Sequence, residues 1–263
     1  GKPFRRPRLK FMTADPLFWQ TLTLVTVAFL FAGTVKGIVG AGLPTFSLPI
    51  LALGLGLKEG IALIVIPALV TNVWQGLVGG QLVALTRRLG TFLIATVIGS
   101  LGGAIILANG DALVLSGVLG IFLFLYSVFS LTTPQIPAPG RAEKYLSPIM
   151  GGATGVMLGM IGSFFVPGVL YLQALGLKRD ELVQALGIAF TVASLALGVG
   201  LASNGLYSGA YLGFSAFAVA PALLGMVAGQ RLRRNLSERR FRQALFSALL
   251  IMGVFLALRA FVL

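Results

Sequence analysis

Gly33-Thr34-Val35-Lys36-Gly37-Ile38-Val39-Gly40-Ala41-Gly42-Leu43-Pro44 sets a lysine, four glycines and a proline inside a long apolar run. Hydrocarbon has no water to hydrogen-bond loose backbone, so a helix broken there survives only against other protein or a wet cavity. An ionisable group at such a break is a functional-site candidate by default. A second break stands near the middle of the chain, Gly155-Val156-Met157-Leu158-Gly159-Met160-Ile161-Gly162-Ser163. Its glycine spacing repeats the first, with Leu158 where Lys36 stood. Two related breaks, one charged and one not, set the problem.

Composition places both breaks in lipid. Of 263 residues, 57% are hydrophobic and only 10% charged, and the mean hydropathy is +0.97. Soluble domains are about 25% charged. The 35 glycines suit helices that pack closely or break in the membrane. The chain has no cysteine and no histidine, which removes thiol nucleophiles, disulfides, imidazole metal sites and histidine relays together. Its seven acidic residues lie outside the apolar runs or at their edges. Catalysis is therefore not expected, nor a cofactor, a metal or a carboxylate-based ion site within a span. The net charge of +13 reads as topology, since the basic residues flank hydrophobic segments and no basic soluble domain is present to bind nucleic acid.

Taken in order, residues 1–16 form a basic tail (Arg5, Arg6, Arg8, Lys10). Leu17 to Val39 reads as a first membrane helix. Leu43 to Leu57 is apolar but short, about 22 Å as a helix against a hydrocarbon core of about 30 Å. Lys58-Glu59 ends it. Ile61–Leu82 follows with Pro67, Thr71, Asn72, Trp74 and Gln75, and Arg87-Arg88 closes it. Gly90–Ala108 and Ala112–Leu131 complete the first repeat, residues 17–131. Residues 132–146, rich in proline, read as the linker. The second repeat, 147–263, runs through a helix ending at Gly162, a short segment Phe164–Leu177 interrupted at Pro167-Gly168, then Leu182–Leu201, Ser208–Gly229, a basic loop Arg231–Arg242 and a last span from Ala244.

The halves correspond. Gly33, Gly37 and Gly40 match Gly155, Gly159 and Gly162 at a constant offset, and Leu55-Gly56-Leu57-Lys58 matches Leu175-Gly176-Leu177-Lys178. Thr71 then aligns with Thr191 and, one residue out of step, Gln75 with Ser194. Gly99 and Gly103 match Gly225 and Gly229. The expected fold is an all-α polytopic integral membrane protein, two repeats of four long segments and one short one each. Five crossings per half make the repeats inverted; four, with the short piece re-entrant, make them parallel. Ten crossings put Arg87, Arg88, Arg141, Lys144, Lys178, Arg179 and the arginines from Arg231 to Arg242 on one face, with only the tail and Lys58 opposing. Eight crossings split the loop charges evenly. Charge favours the inverted arrangement.

On these residues the chain resembles the TauE/SafE-type family of bacterial sulfite and organosulfonate exporters and permeases. The resemblance rests on Gly37-x-x-Gly40-x-Gly42-x-Pro44, on Gly159-x-x-Gly162 with Pro167, and on the duplicated, loop-poor layout from Leu17 to Leu263. The second break departs from the fuller pattern at Ser163-Phe164, so the two half-sites are not equivalent. The resemblance implies a transporter of small anions (sulfite, sulfonates, related carboxylates) in the bacterial inner membrane, among lipids, with a homodimer left open. An anion channel of the same architecture and a non-catalytic membrane assembly protein are the rival readings.

A broken helix exposes up to four backbone N–H groups at its new N-terminus, beside about half a positive charge from the helix dipole, and so favours an anion. Gly42-Leu43-Pro44 and Phe165-Val166-Pro167 suit the starts of the short helices. The candidate substrate-binding residues are Lys36, Gly40 and Gly42 at the first break, Gly162 and Ser163 at the second, and Thr71, Asn72, Gln75, Thr191 and Ser194 on the helices that follow. Each has a plainer reading. Lys36 at a helix end can snorkel to the interface. The glycines can serve helix packing alone, and Asn72 and Gln75 can be interhelical glue. Trp74 reads as an interfacial or packing residue and Arg259 as a headgroup anchor.

Overall fold

The computed structural model describes residues 16–132, 137–207, 209–232 and 238–262, and these are helical almost throughout. Among the described residues seven helices are long and apolar enough to cross a membrane: α1 (Pro16–Val39), α3 (Leu57–Leu77), α5 (Gly90–Asn109), α6 (Ala112–Thr132), α9 (Arg179–Ser203), α10 (Gly209–Leu232) and the part of α11 (Glu238–Phe261) that begins at Gln243. Between them lie α2 (Leu43–Gly54), α4 (Leu82–Arg88), α7 (Glu143–Ile161) and α8 (Leu170–Ala174). The chain is a multi-pass membrane protein.

Several boundaries differ from the sequence reading. α3 stops at Leu77 rather than Leu82, because Gly79 (φ +131°) and Gly80 (φ +76°) turn the chain into the separate α4. Lys58 and Glu59 do not end the short segment; they belong to the first turn of α3, and Lys58 Nζ donates to the Ala108 carbonyl at 3.0 Å. α7 has 19 residues but is not among the seven apolar helices, since Glu143, Lys144, Ser147 and its glycines dilute its hydropathy. It also begins inside the stretch read as linker, after a 3₁₀ turn at Gly140–Ala142. α2 and Phe165–Ala174 are the two short apolar pieces. The basic tail, Pro134 and most side chains of the Arg231–Arg242 loop lie outside the described residues.

Packing follows a paired scheme. α1 lies along α10 as α7 lies along α5, α3 packs on α9, α6 on α11, and α3 meets α10 as α9 meets α5. Glycines decide the first two pairs. A Cβ on Gly33 or Gly37 would overlap the backbone of Ala222 or of Met226 and Gly229, and one on Gly225 or Gly229 would overlap Leu30 or Thr34. In the other pair, Gly155 and Gly159 meet the backbone of Thr96 and Ser100, while Gly99 and Gly103 meet that of Gly152 and Val156. Lipid gives no hydrophobic drive between helices, so close backbone approach and its dispersion contacts hold such pairs. Of the glycines matched between the two halves, Gly33, Gly37, Gly155 and Gly159 with Gly99, Gly103, Gly225 and Gly229 are packing glycines, whereas Gly40 and Gly162 take positive φ at helix ends.

Helix hydroxyls mostly bond back to the carbonyl four residues earlier, as at Thr26, Ser47 and Ser127. Pro67 interrupts α3 and frees the Leu63 carbonyl. Ser215 of α10 takes up that carbonyl, donating to Leu63 O at 2.9 Å, and also accepts from Ile66 N at 3.2 Å. At one end of the bundle Arg88 makes a bidentate pair with Glu143, both bonds 2.8 Å, and reaches the Leu175 carbonyl at 3.1 Å.

Candidate functional site

The first break forms because α1 ends on Gly40, whose N–H closes on the Lys36 carbonyl at 2.7 Å. Gly42 then takes φ +107° as the N-cap of α2, a conformation that favours glycine. The second break ends α7 the same way, with the Gly162 N–H on the Leu158 carbonyl at 2.8 Å and φ +69°. After it, Val166 is extended before the short helix resumes.

Lys36 sits one turn before the first break and is only 4% exposed. It does not snorkel. Its Nζ donates to Thr71 Oγ1 at 3.0 Å and to Asn72 Oδ1, both buried on α3. Thr71 can accept because its own hydrogen goes to the Pro67 carbonyl at 2.8 Å. No carboxylate joins this group among the described residues.

Two spaces meet at Lys36 and its partners. One is an open vestibule of about 290 Å³, lined among others by Lys36, Gly40, Thr71, Gln75, Arg179 and Gln230. The other is a central cavity of about 20 Å³, room for roughly one water, lined by Pro44 from the first break, Gly162 and Phe164 from the second, Asn72 and Ser194. Both breaks thus face one point between α3 and α9. Phe164 and Phe190 close it as an aromatic wall, ring centroids 4.7 Å apart. Beside the vestibule, α3 and α9 cross at Gly76 and Gly187, with backbone too close for any side chain. Gln184 fastens that crossing, donating to Gly76 O and accepting from Gln81 N, each at 3.0 Å.

The candidate residues therefore separate. Lys36, Thr71 and Asn72 form one hydrogen-bonded group. Asn72, Gly162 and Ser194 share the central cavity, and Gly40 and Gln75 face the vestibule. Gln75 is tied to the Val183 carbonyl at 2.9 Å, so its amide serves partly as interhelical glue. Gly42 lies against the rings of Phe46 and Phe165. Ser163 and Thr191 line neither space, and Thr191 spends its hydroxyl on the Gly187 carbonyl at 2.7 Å. Arg179 and Gln230 were missed, because each adjoins a basic run that reads as topology. Phe164 and Phe190 carry no mark that separates them from other apolar residues.

The arrangement can hold an anion on one buried ammonium, with neutral amide and hydroxyl groups beside it and glycine backbone near. Among the described residues it offers no nucleophile with an adjacent base and no cluster of metal-ligating side chains. Comparison with known families gives a match to the model described as sulfite exporter TauE/SafE over residues 25–256. Comparison with curated proteins and with solved structures gives no match.

Proposed function

Because the chain belongs to the sulfite exporter TauE/SafE family, whose members are transporters of sulfite-type anions and not enzymes, we propose that Lys36 is the charge that binds the transported anion. The substrate in this reading is sulfite, an organosulfonate or a related small carboxylate, taken up from the vestibule and passed on by alternating access. The observation that carries it is a buried lysine with only neutral partners, standing between an open vestibule and a nearly closed centre. A central space of about 20 Å³, room for roughly one water, is narrow for an open pore and supports a carrier over a channel.

The paired packing supports two related halves, 17–131 and 147–263: exchanging them maps α1–α10 onto α7–α5 and α3–α10 onto α9–α5, and leaves α3–α9 and α6–α11 as they are, while the inverted sense rests on the loop charges. Arg88 and Glu143 meet at one end and Lys58 and Ala108 meet elsewhere, a placement that five crossings per half accommodate. With the arginine-bearing end facing the cytoplasm, the membrane is the bacterial inner membrane and the vestibule opens inward.

Calorimetry with methanesulfonate on monodisperse protein in detergent tests the site. Lys36→Met should keep the fold and weaken binding about ten- to a hundredfold, as loss of a charge-assisted hydrogen bond worth about 1.5–3 kcal/mol implies. Binding equal to the parent would sink the assignment.

A further inference from the structure

The acceptors around Lys36 number two, and an amine's protonation states differ in how many they need. A neutral amine has two N–H groups, which Thr71 Oγ1 and Asn72 Oδ1 satisfy. An ammonium has a third N–H and a full charge. Among the described residues no third protein group accepts from it and no carboxylate stands as counter-ion, so that hydrogen is left to whatever fills the vestibule.

The neighbouring elements supply none. α2 has no ionisable side chain, and α10 brings Met226 and Gln230 to the vestibule. On α3 the nearest charged residues, Lys58 and Glu59, lie about 18 Å away along the axis. From α9 comes Arg179, a second positive charge in the same vestibule. Burying an unpaired charge is costly, and a group so placed tends to neutralise. The chain has no histidine, and none of the seven apolar helices carries a carboxylate beyond its terminal turns, so no other side chain of those kinds is placed to carry a proton through.

We infer that Lys36 is the proton carrier of the transport cycle, so that each anion is bound and released together with one proton. This rests on the reading of Lys36 as the anion's partner. In the empty site Lys36 is a neutral amine held by Thr71 and Asn72. As an anion enters from the vestibule, the nitrogen lone pair takes a proton from water there, and the new N–H donates to the anion. Release on the far side breaks that N–H bond, returning the proton to water and the anion to solution. For a monovalent anion the cycle moves no net charge.

Methanesulfonate is the probe, because a sulfonate stays ionised throughout the working range and carries no proton of its own. Purified protein in liposomes, with a pH-sensitive dye inside, is given an inward methanesulfonate gradient. The lumen should acidify as the probe enters. With membrane potential clamped at zero, a pH difference of about one unit, acid outside, should accumulate the probe about tenfold. Lys36→Arg, whose guanidinium keeps its charge, should show no accumulation whatever counterflow it retains.

Counterflow in the parent without acidification or accumulation overturns the coupling, as does Lys36→Arg accumulating like the parent. Those outcomes leave the site assignment standing if Lys36→Met has lost counterflow. Counterflow undiminished in Lys36→Met, or absent from the parent, overturns the site and the coupling with it.

Discussion

The two halves share a scaffold and differ in chemistry. In the first, α1 ends at Gly40 with Lys36 one turn earlier, bonded to Thr71 and Asn72 of α3. In the second, α7 ends at Gly162 with Leu158 one turn earlier, while α9 presents Thr191 and the apolar Val192 at the matching positions. Glycines that bring α1 against α10 and α7 against α5 are present in both. Corresponding helices of the two halves thus share what packing requires, a missing side chain at each close approach. They do not share the charge: Lys36 in the first stands against Leu158 in the second.

Transplanting the charge should have the largest effect. Leu158→Lys combined with Lys36→Met places an ammonium where Leu158 is 5% exposed and no amide waits. Even as a neutral amine a buried group without partners costs about 1–3 kcal/mol, and binding should not return. A fluorescence-detected thermal melt in detergent measures the first and calorimetry the second. A stable, anion-binding double variant would mean the half-sites are equivalent after all.

The next effect should be shared by both halves. Gly37→Val and Gly159→Val each force a side chain into facing backbone. Overpacking costs typically about 1–3 kcal/mol, so both melting temperatures should fall by similar amounts. A loss confined to one variant would show that the glycine pairs are not doing the same job.

The smallest effect belongs to the first half alone. Ser215→Ala removes the hydroxyl that repairs α3 at Pro67, and α9 has no internal proline to need such a repair. About 1 kcal/mol of stability should be lost, read as a modest drop in melting temperature. No change would assign the repair of Leu63 O and Ile66 N to water.

Much of this was legible along the chain. Hydropathy placed the protein in lipid, and glycine and proline marked both breaks, because their backbone effects are local. Lys36 stood out for the same reason, as a charge inside an apolar run. The full-length segment expected over Ile61–Leu82 ends instead at Leu77, before Gly79-Gly80, and that glycine pair was the available signal. What the sequence by itself determined was therefore the membrane class, the two breaks and the charge beside the first of them. Tertiary structure decided which glycines pack and which break. It also decided that Lys36 meets Thr71 and Asn72, that Ser163 and Thr191 stand aside, and that Arg179 joins the vestibule. The physical reason is rotation. Each residue turns a helix by about 100°, so a polar side chain on an apolar helix points wherever the glycine contacts orient that helix.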